Sequence, residues 1–180
     1  MIYYTNDDIQ IRDIKDEDVV TLFAWWIDQE INRFDPRPIP HNSPSLLKEC
    51  KTYCRMFSHE VMNKNKRLNR YRYFIITNTE DRPIGFINLF GFDKEKNQAE
   101  MGIVIGDRTY WRKGIAYKSC QIVLEYLFTE GGFQRIHIET SEKNKPARQL
   151  FHKLGFKFCE DYVDHGYTWT VMDKKKEPSS

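Results

Sequence analysis

Apolar and polar positions change period along this chain in a way that marks out its elements. Residues 9–14, IQIRDI, alternate apolar and polar as a half-buried strand does. From residue 15 to 34 the period changes. Acids fill the first turn, and Val20, Leu22, Phe23, Trp26 and Ile27 fall on one face, which predicts a helix. A proline-rich loop, DPRPIPHNSP, follows, with Ser43-Pro44 as the expected cap and first turn of a second amphipathic helix running to about Asn65. Three apolar runs at 70–78, 82–92 and 99–106, separated by short polar turns, predict an antiparallel meander. Helical spacing returns over 116–130 and stops at Gly131-Gly132. A strand is predicted at 133–140, and then a helix that opens at Asn144 and stops at Gly155. Two last strands, 157–163 and 167–173, flank the turn Asp164-His165-Gly166. Seven strands and four helices without repeat or linker predict one α/β domain over 1–173. Residues 174–180 form a charged tail, expected to be mobile.

Composition narrows the classes of function. Forty per cent apolar and 14% aromatic residues in 180 positions support a single packed core. A formal net charge of +2 is too small to make nucleic acid or a membrane the main partner. The chain has no apolar run of about 18 residues and no basic-then-apolar leader, so a cytoplasmic location is the default expectation. Cys50, Cys54, Cys120 and Cys159 are scattered, as reduced thiols are. Cys50 and Cys54, with His59 nearby, have no second ligand pair, so no metal is expected. The run from Lys64 to Tyr73 mixes five cations with aromatics, a pattern that binds RNA but equally one of solvated cations at a helix-to-strand junction.

One stretch runs against elementary electrostatics. TYWRKGIAYKSC, residues 109–120, sets Arg112 and Lys113 at the start of a helix, where the dipole is already positive. Backbone N–H groups there are unpaired, and Gly114 with the small Ala116 lets a ligand approach the backbone. A phosphate or pyrophosphate is the expected guest. The chain has neither the P-loop spacing nor the three glycines of a dinucleotide site.

Gly114 and Ala116 resemble motif A of the GNAT superfamily, the acyl-CoA-dependent N-acetyltransferases, with Trp111 standing where that motif has Gln or Arg. Tyr-Trp-x-Lys-Gly-x-Ala resembles the form found in its ribosomal-protein N-terminal branch. NKPARQLFHKLGF resembles motif B of the same superfamily, and the order of elements over residues 8–173 is also similar. The resemblance implies a mixed, mostly antiparallel sheet with helices on both faces and a V-shaped splay between the fourth and fifth strands. It implies acetyl-CoA as cosubstrate. The pyrophosphate would lie on backbone amides of Arg112, Lys113, Gly114, Ile115 and Ala116. The pantetheine would pair with Ile103, Val104 and Ile105, bond Asn144, and pack on Ala147 and Phe151.

Acetyl transfer to an amine requires a neutral amine, an oxyanion donor and a proton for the leaving thiolate. An amine with a pKa near 10.4 is neutral only about once in 10³ at pH 7, a penalty of about 4–5 kcal/mol. Glu139, five residues before Asn144, matches a carboxylate of some ribosomal-protein and aminoglycoside acetyltransferases, and Glu100 stands where the branch often has a glutamate. Either is a candidate general base. Phe151 stands where many relatives have a tyrosine that protonates the thiolate, so that role falls to water, Ser141 or the substrate ammonium.

For the acceptor, the resemblance points to the first helix and the loop after it. Adjacent helical positions diverge by about 100°, so Trp25 and Trp26 cannot both face the core, and one is expected to line a groove. Asp28, Glu30 and Asp35 suit a cationic amine, and His165 is within reach of it. The acceptor is then a protein or peptide N-terminal amine or a small amine such as an aminoglycoside, polyamine or amino sugar. A non-catalytic acetyl-CoA sensor is the remaining alternative, and a homodimer is compatible with the chain.

Overall fold

The computed structural model describes residues 1–63 and 70–178. The strands are β1 (Ile2–Thr5), β2 (Gln10–Asp13), β3 (Arg72–Thr77), β4 (Pro83–Asp93), β5 (Gln98–Ile105), β6 (Arg135–Ser141), β7 (Lys157–Asp164) and β8 (Tyr167–Lys175). The helices are α1 (Asp18–Trp26), α2 (Ser43–Met56), α3 (Ile115–Thr129) and α4 (Lys145–Lys153), with short turns of other helix types at Phe57–Val61 and Arg108–Tyr110. All eight strands form one sheet in the order β1-β2-β3-β4-β5-β6-β8-β7. Every pairing is antiparallel except β5 with β6.

β3 shows how the layers form. Its run RYFIIT is apolar on both sides because both are buried. Phe74 and Ile76 belong to the core under α3 and α4, with Leu124, Leu127 and Phe151. Tyr73 and Ile75 belong to a smaller core with Leu22 of α1 and Tyr53 of α2. That second core takes residues from β3 and β4 but none from β5 to β8. The α1/α2 face of the far half of the sheet is therefore open, and all eight residues of β7 are exposed.

Several elements differ from the periodicity reading. β1 is an eighth strand, paired with β2 and anchored by Tyr3 against Phe74 at 4.8 Å. α1 ends at Trp26, because the Asp28 carboxylate accepts the N–H groups of Glu30 and Ile31 and so draws the backbone into a turn. Asn42 caps α2 in place of Ser43, in a reciprocal capping box with Ser45. α2 passes at Phe57 into a wider turn that ends at Val61, and the predicted end near Asn65 lies outside the described residues. β8 continues to Lys175, and Lys174 Nζ donates to the Leu154 carbonyl at 2.7 Å. Of the basic run, residues 64–69 also lie outside the described residues. Arg72 is held among Tyr3, Phe74 and Tyr126 and donates to the Tyr126 hydroxyl at 2.6 Å, so it belongs to the packing.

A buried ion cluster ties the first helix to the sheet. Arg12 of β2, only 4% exposed, holds Asp18 of α1 with two hydrogen bonds of 2.8 and 2.9 Å and Asp81 of the β3–β4 turn with one of 2.6 Å. Removing Arg12 leaves the Asp18 charge, 1% exposed, without a cation, a loss of about 3–5 kcal/mol. Arg12→Met is expected to lower the unfolding free energy in urea by that amount with the slope unchanged. A loss below about 1 kcal/mol would show the cluster to be as weak as a surface pair.

Candidate active site

The strand pairing creates the cleft. β5 meets β6 at only three positions: Gln98 with Arg135, Ala99 with Ile136 and Glu100 with His137. Beyond Glu100 the two strands diverge, while β5 stays paired to β4 out to Ile105. This is the expected splay between the fourth and fifth predicted strands. It leaves one edge of residues 101–105 without a strand partner, open to an extended ligand bearing amides.

The wedge is closed at one end by α3. Gly114 precedes the helix with φ +77°, a left-handed conformation that suits glycine, and no atom lies within 4 Å of where a Cβ would stand. No side chain caps this helix, and its first helical hydrogen bond runs from Lys118 N to Gly114 O. The N–H groups of Ile115, Ala116 and Tyr117 therefore have no acceptor within the helix. Arg112 also has positive φ, +60°. Trp111 fixes the preceding corner by donating its indole N–H to the Ile105 carbonyl at 2.7 Å.

Ile103, Val104, Ile105, Trp111, Arg112, Gly114, Ile115, Ala116, Asn144 and Ala147 line one cleft of about 590 Å³. Asn144 caps α4, its Oδ1 accepting from Ala147 N at 3.3 Å and its Nδ2 donating to Thr140 at 3.1 Å. The amide has one further N–H for a ligand. Two expected residues are not in this lining. The Lys113 side chain lies over the Tyr110 ring, 5.4 Å away, while its backbone stands between Arg112 and Gly114 of the wall. Phe151 is 4% exposed and packs edge-on to Phe156, so Leu150 takes its place as the apolar wall beside Ala147. The turn after α1 adds Arg33 and Phe34 to the wall, with Arg33 over Trp111 at 5.6 Å. These residues fit a CoA thioester: an anion site at the uncapped helix, an open strand edge and apolar walls. A second cleft of about 740 Å³, behind α4, is walled by Lys145, Arg148, His152 and Phe158. The helix start that it touches, at Lys145, is already capped by Asn144, and no carboxylate among the described residues lines it.

A family model for a GNAT acetyltransferase domain matches residues 8–157. The chain belongs to this family. It is an acetyl-CoA-dependent N-acetyltransferase. The N-acetyltransferase p20 of Bacillus licheniformis is 26% identical over 148 residues, 82% of this chain and 78% of its own. YnaD of Bacillus subtilis, also named an N-acetyltransferase, is 24% identical over 93% of this chain and 92% of its own. Among solved structures, the fold superimposes on a spermidine N-acetyltransferase of Vibrio cholerae, bound to CoA and spermine, with TM-score 0.76. That match covers 95% of this chain and 97% of the other, at 19% identity. A ribosomal-protein-S5-alanine acetyltransferase of Vibrio fischeri superimposes with TM-score 0.74 at 18% identity, over 98% and 97% of the two chains. No helix among the described residues is long and apolar enough to cross a membrane.

At the apex of the splay, Glu100 of β5 and His137 and Glu139 of β6 point to the open face, their donor atoms all within 4.8 Å of one another. Burial first, and then the Glu139 charge, push the Glu100 carboxyl up to about 7. His137, 3.9 Å from Glu100, is lowered by burial and then by the Arg135 charge, so it is neutral at pH 7. Tyr162 of β7 donates to Glu139 Oε2 at 2.5 Å, a bond that, with burial, pushes the phenol up to about 12. The His137 contact follows from the β5–β6 register and the Tyr162 contact from the β6–β8–β7 register, neither of which the sequence carries locally. Cys50 and Cys54, partly and fully exposed on α2, are no part of this cluster.

Of the acceptor residues expected from α1 and its loop, Glu30 stands in the cleft wall, and each of the three acids has an arginine beside it. Asp28 pairs with Arg108 at 3.2 Å, Glu30 with Arg33 at 2.5 Å and Asp35 with Arg37 at 3.7 Å. Their charges are already matched by neighbouring arginines. Trp26 bonds Glu49 at 2.6 Å and lies 3.5 Å under Arg37, while Trp25 stacks on Phe86 over Gly106, so neither indole lines the cleft. His165 sits on the exposed hairpin tip, paired with Asp164 at 2.8 Å.

Two measurements check this site. Gly114→Val forces a branched residue into a left-handed conformation and sets a side chain at the anion's approach. Its acetyl-CoA dissociation constant is expected to rise at least tenfold, measured by calorimetry. The raised Glu100 carboxyl has a definite sign in stability. The folded state holds that proton more tightly than the unfolded chain, so stability falls as pH rises from about 4.5 to about 7 and stays lower above. Glu100→Gln removes this cost, about 3 kcal/mol at most. Its melting temperature relative to the wild type is expected to rise by roughly 5–10 °C between pH 4.5 and pH 8. A relative fall would show that Glu100 is stabilised as the carboxylate.

Proposed function

We propose that the protein acetylates the primary amine of a small cationic acceptor, with Glu139 as general base. The observation that carries this reading is the Glu100–Glu139 pair at the apex of the splay, facing the half of the sheet that α1 and α2 leave open. Cross-strand register puts Glu160 and Tyr162 of β7 and Trp169 of β8 on the face that bears Glu139. Carboxylates interleaved with aromatic rings suit an ammonium-bearing guest. The fold likeness to a spermidine N-acetyltransferase is in keeping with that chemistry.

The cleft residues fix the thioester beside this face, and the acceptor approaches from the open side. An ammonium that loses its proton to solvent attacks as the free amine. Glu139, oriented through one oxygen by Tyr162, takes the second proton as the new N–C bond forms. A backbone N–H on the free edge of β5, at Ile105 or its neighbour, is the simplest donor to the oxyanion. A second reading, a peptide α-amine, is favoured by the openness of the same face. It requires less of the base, because such an amine with a pKa near 8 is deprotonated at a cost of only about 1 kcal/mol.

The test is release of CoA thiol at pH 8 against polyamines, aminoglycosides, amino sugars and short peptides. Turnover is expected with a multiply charged small amine. Glu139→Gln is expected to lower kcat/KM by about 10²–10⁴-fold while leaving acetyl-CoA affinity unchanged. Intact turnover by Glu139→Gln across pH 6–9 would remove Glu139 from the chemistry. Turnover with peptides alone would favour the second reading.

A further inference from the structure

Acetyl transfer needs a proton for the departing sulfur, and Phe151 has none to give: it is 4% exposed and packed on Phe156. The groups that face the apex can be taken in turn. On β6, His137 is lowered by burial and carries no extra proton at neutral pH. On β7, the Tyr162 phenol is committed to Glu139 at 2.5 Å. On β8, Asp173 is matched by Arg135 at 2.6 Å. Also on β6, Ser141 shares the face of Glu139 and accepts the Lys143 N–H at 3.3 Å, but its alcohol is a far weaker acid than the thiol it would protonate. On β5, Glu100 remains. No donor among the described residues is hydrogen-bonded to it, and it stands on the last rung before the strands part.

Resting on the proposed acetyl transfer at this apex, we propose that Glu100 and Glu139 are an acid–base pair sharing one proton. Glu100 gives its proton to the CoA sulfur, and Glu139 takes one from the amine. The amine lone pair forms the N–C bond while the C=O π pair moves onto oxygen, and Glu139 accepts an N–H proton. The oxygen pair then re-forms C=O, and the C–S bond breaks with its electrons on sulfur. The sulfur takes the Glu100 proton. The products are the amide, CoA thiol, a Glu139 carboxyl and a Glu100 carboxylate. The two carboxyl groups lie within 4.8 Å, so the proton passes from Glu139 back to Glu100 and the site is reset.

The environments divide the roles. Glu139 accepts the Tyr162 hydrogen and is held as an acceptor. Glu100, desolvated and facing the Glu139 charge, keeps its proton up to about pH 7. Two carboxyls whose surroundings push them apart in acidity serve as acid and base at one pH.

The test has one readout without substrate and one with it. In the ligand-free protein, infrared spectra are expected to show a protonated carboxyl band that titrates near neutral pH. The band disappears in Glu100→Gln and shifts to lower pH in Glu139→Gln, where the repelling charge is gone. In turnover, acetyl-CoA is compared with an acetyl thioester of a nitrothiophenol, whose far more acidic thiol leaves without a proton. Glu100→Gln is expected to slow acetyl-CoA by about 10²-fold and the activated donor by less than about threefold, whereas Glu139→Gln slows both alike. Turnover with a band that survives Glu100→Gln, or equal slowing of both donors by Glu100→Gln, overturns the pair but not the acetyl transfer. A wild type that binds acetyl-CoA and acetylates no amine overturns both.

Discussion

Three rungs of parallel pairing between β5 and β6 hold the two halves of the sheet together, and the structure depends on their stopping at Glu100 and His137. Longer pairing would fill the wedge with strand hydrogen bonds and leave no edge for a ligand. Shorter pairing would uncouple the β6–β8–β7 half from the meander. The divergence costs the backbone hydrogen bonds that β5 forgoes on one side over residues 101–105. A ligand with amides of its own restores them, so affinity at this edge is repaid by backbone already placed and unpaired. α3 enters at the wide end with its own N–H groups unpaired for the same reason. Two kinds of incomplete secondary structure, a strand edge and a helix start, face one cavity.

The same divergence explains the electrostatics at its apex. Where the strands still pair, side chains on one face stand shoulder to shoulder, and Glu100, His137 and Glu139 are brought together by register alone. Two carboxylates this close would repel at no benefit in a structural role. Elsewhere the chain settles its buried charges carefully. Arg12 satisfies Asp18 and Asp81 together, and Arg135 satisfies Asp173 and Gln98. A pair of half-buried carboxylates with no Lys or Arg of the described residues beside it is a local conflict of the sort found at functional sites. The site for which the protein tolerates it faces open solvent, where a cationic acceptor would relieve it.

The motifs and the periodicity made most of the fold legible. GNAT-like corners at Trp111–Ala116 and at Asn144 are local, and their geometry follows from a few adjacent residues: an uncapped helix at Gly114 and a capped one at Asn144. What escaped the sequence depends on contacts between distant residues or on competing side chains. Ile27, Ile31 and Phe34 continue the apolar spacing of α1, but Asp28 diverts the backbone after Trp26, so a helical pattern persists where no helix does. The acids at 28, 30 and 35 suggested a cation site because sequence shows charges and not their partners, and each has an arginine beside it. β1 is short, and its Tyr3 is anchored by residues about 70 and 120 positions away. Tyr162 is the clearest loss. Nothing in KFCEDYVD singles it out until β7, β8 and β6 are laid side by side.

Phe151 brings these threads to one point. A proton donor on α4 would sit on a different element from the base, so the separation of acid and base would depend on how a helix packs against the sheet. The chain instead buries an unadorned ring there, and Phe151 and Phe156 serve the core. If both proton-handling groups stand on β5 and β6, the distance between them is fixed by the last paired rung, Glu100 with His137. That rung also sets where the cleft begins. A shift of one residue in the β5–β6 register would turn Glu100 to the other face of the sheet and change the depth of the wedge at once. Proton transfer and ligand binding are then governed by one register.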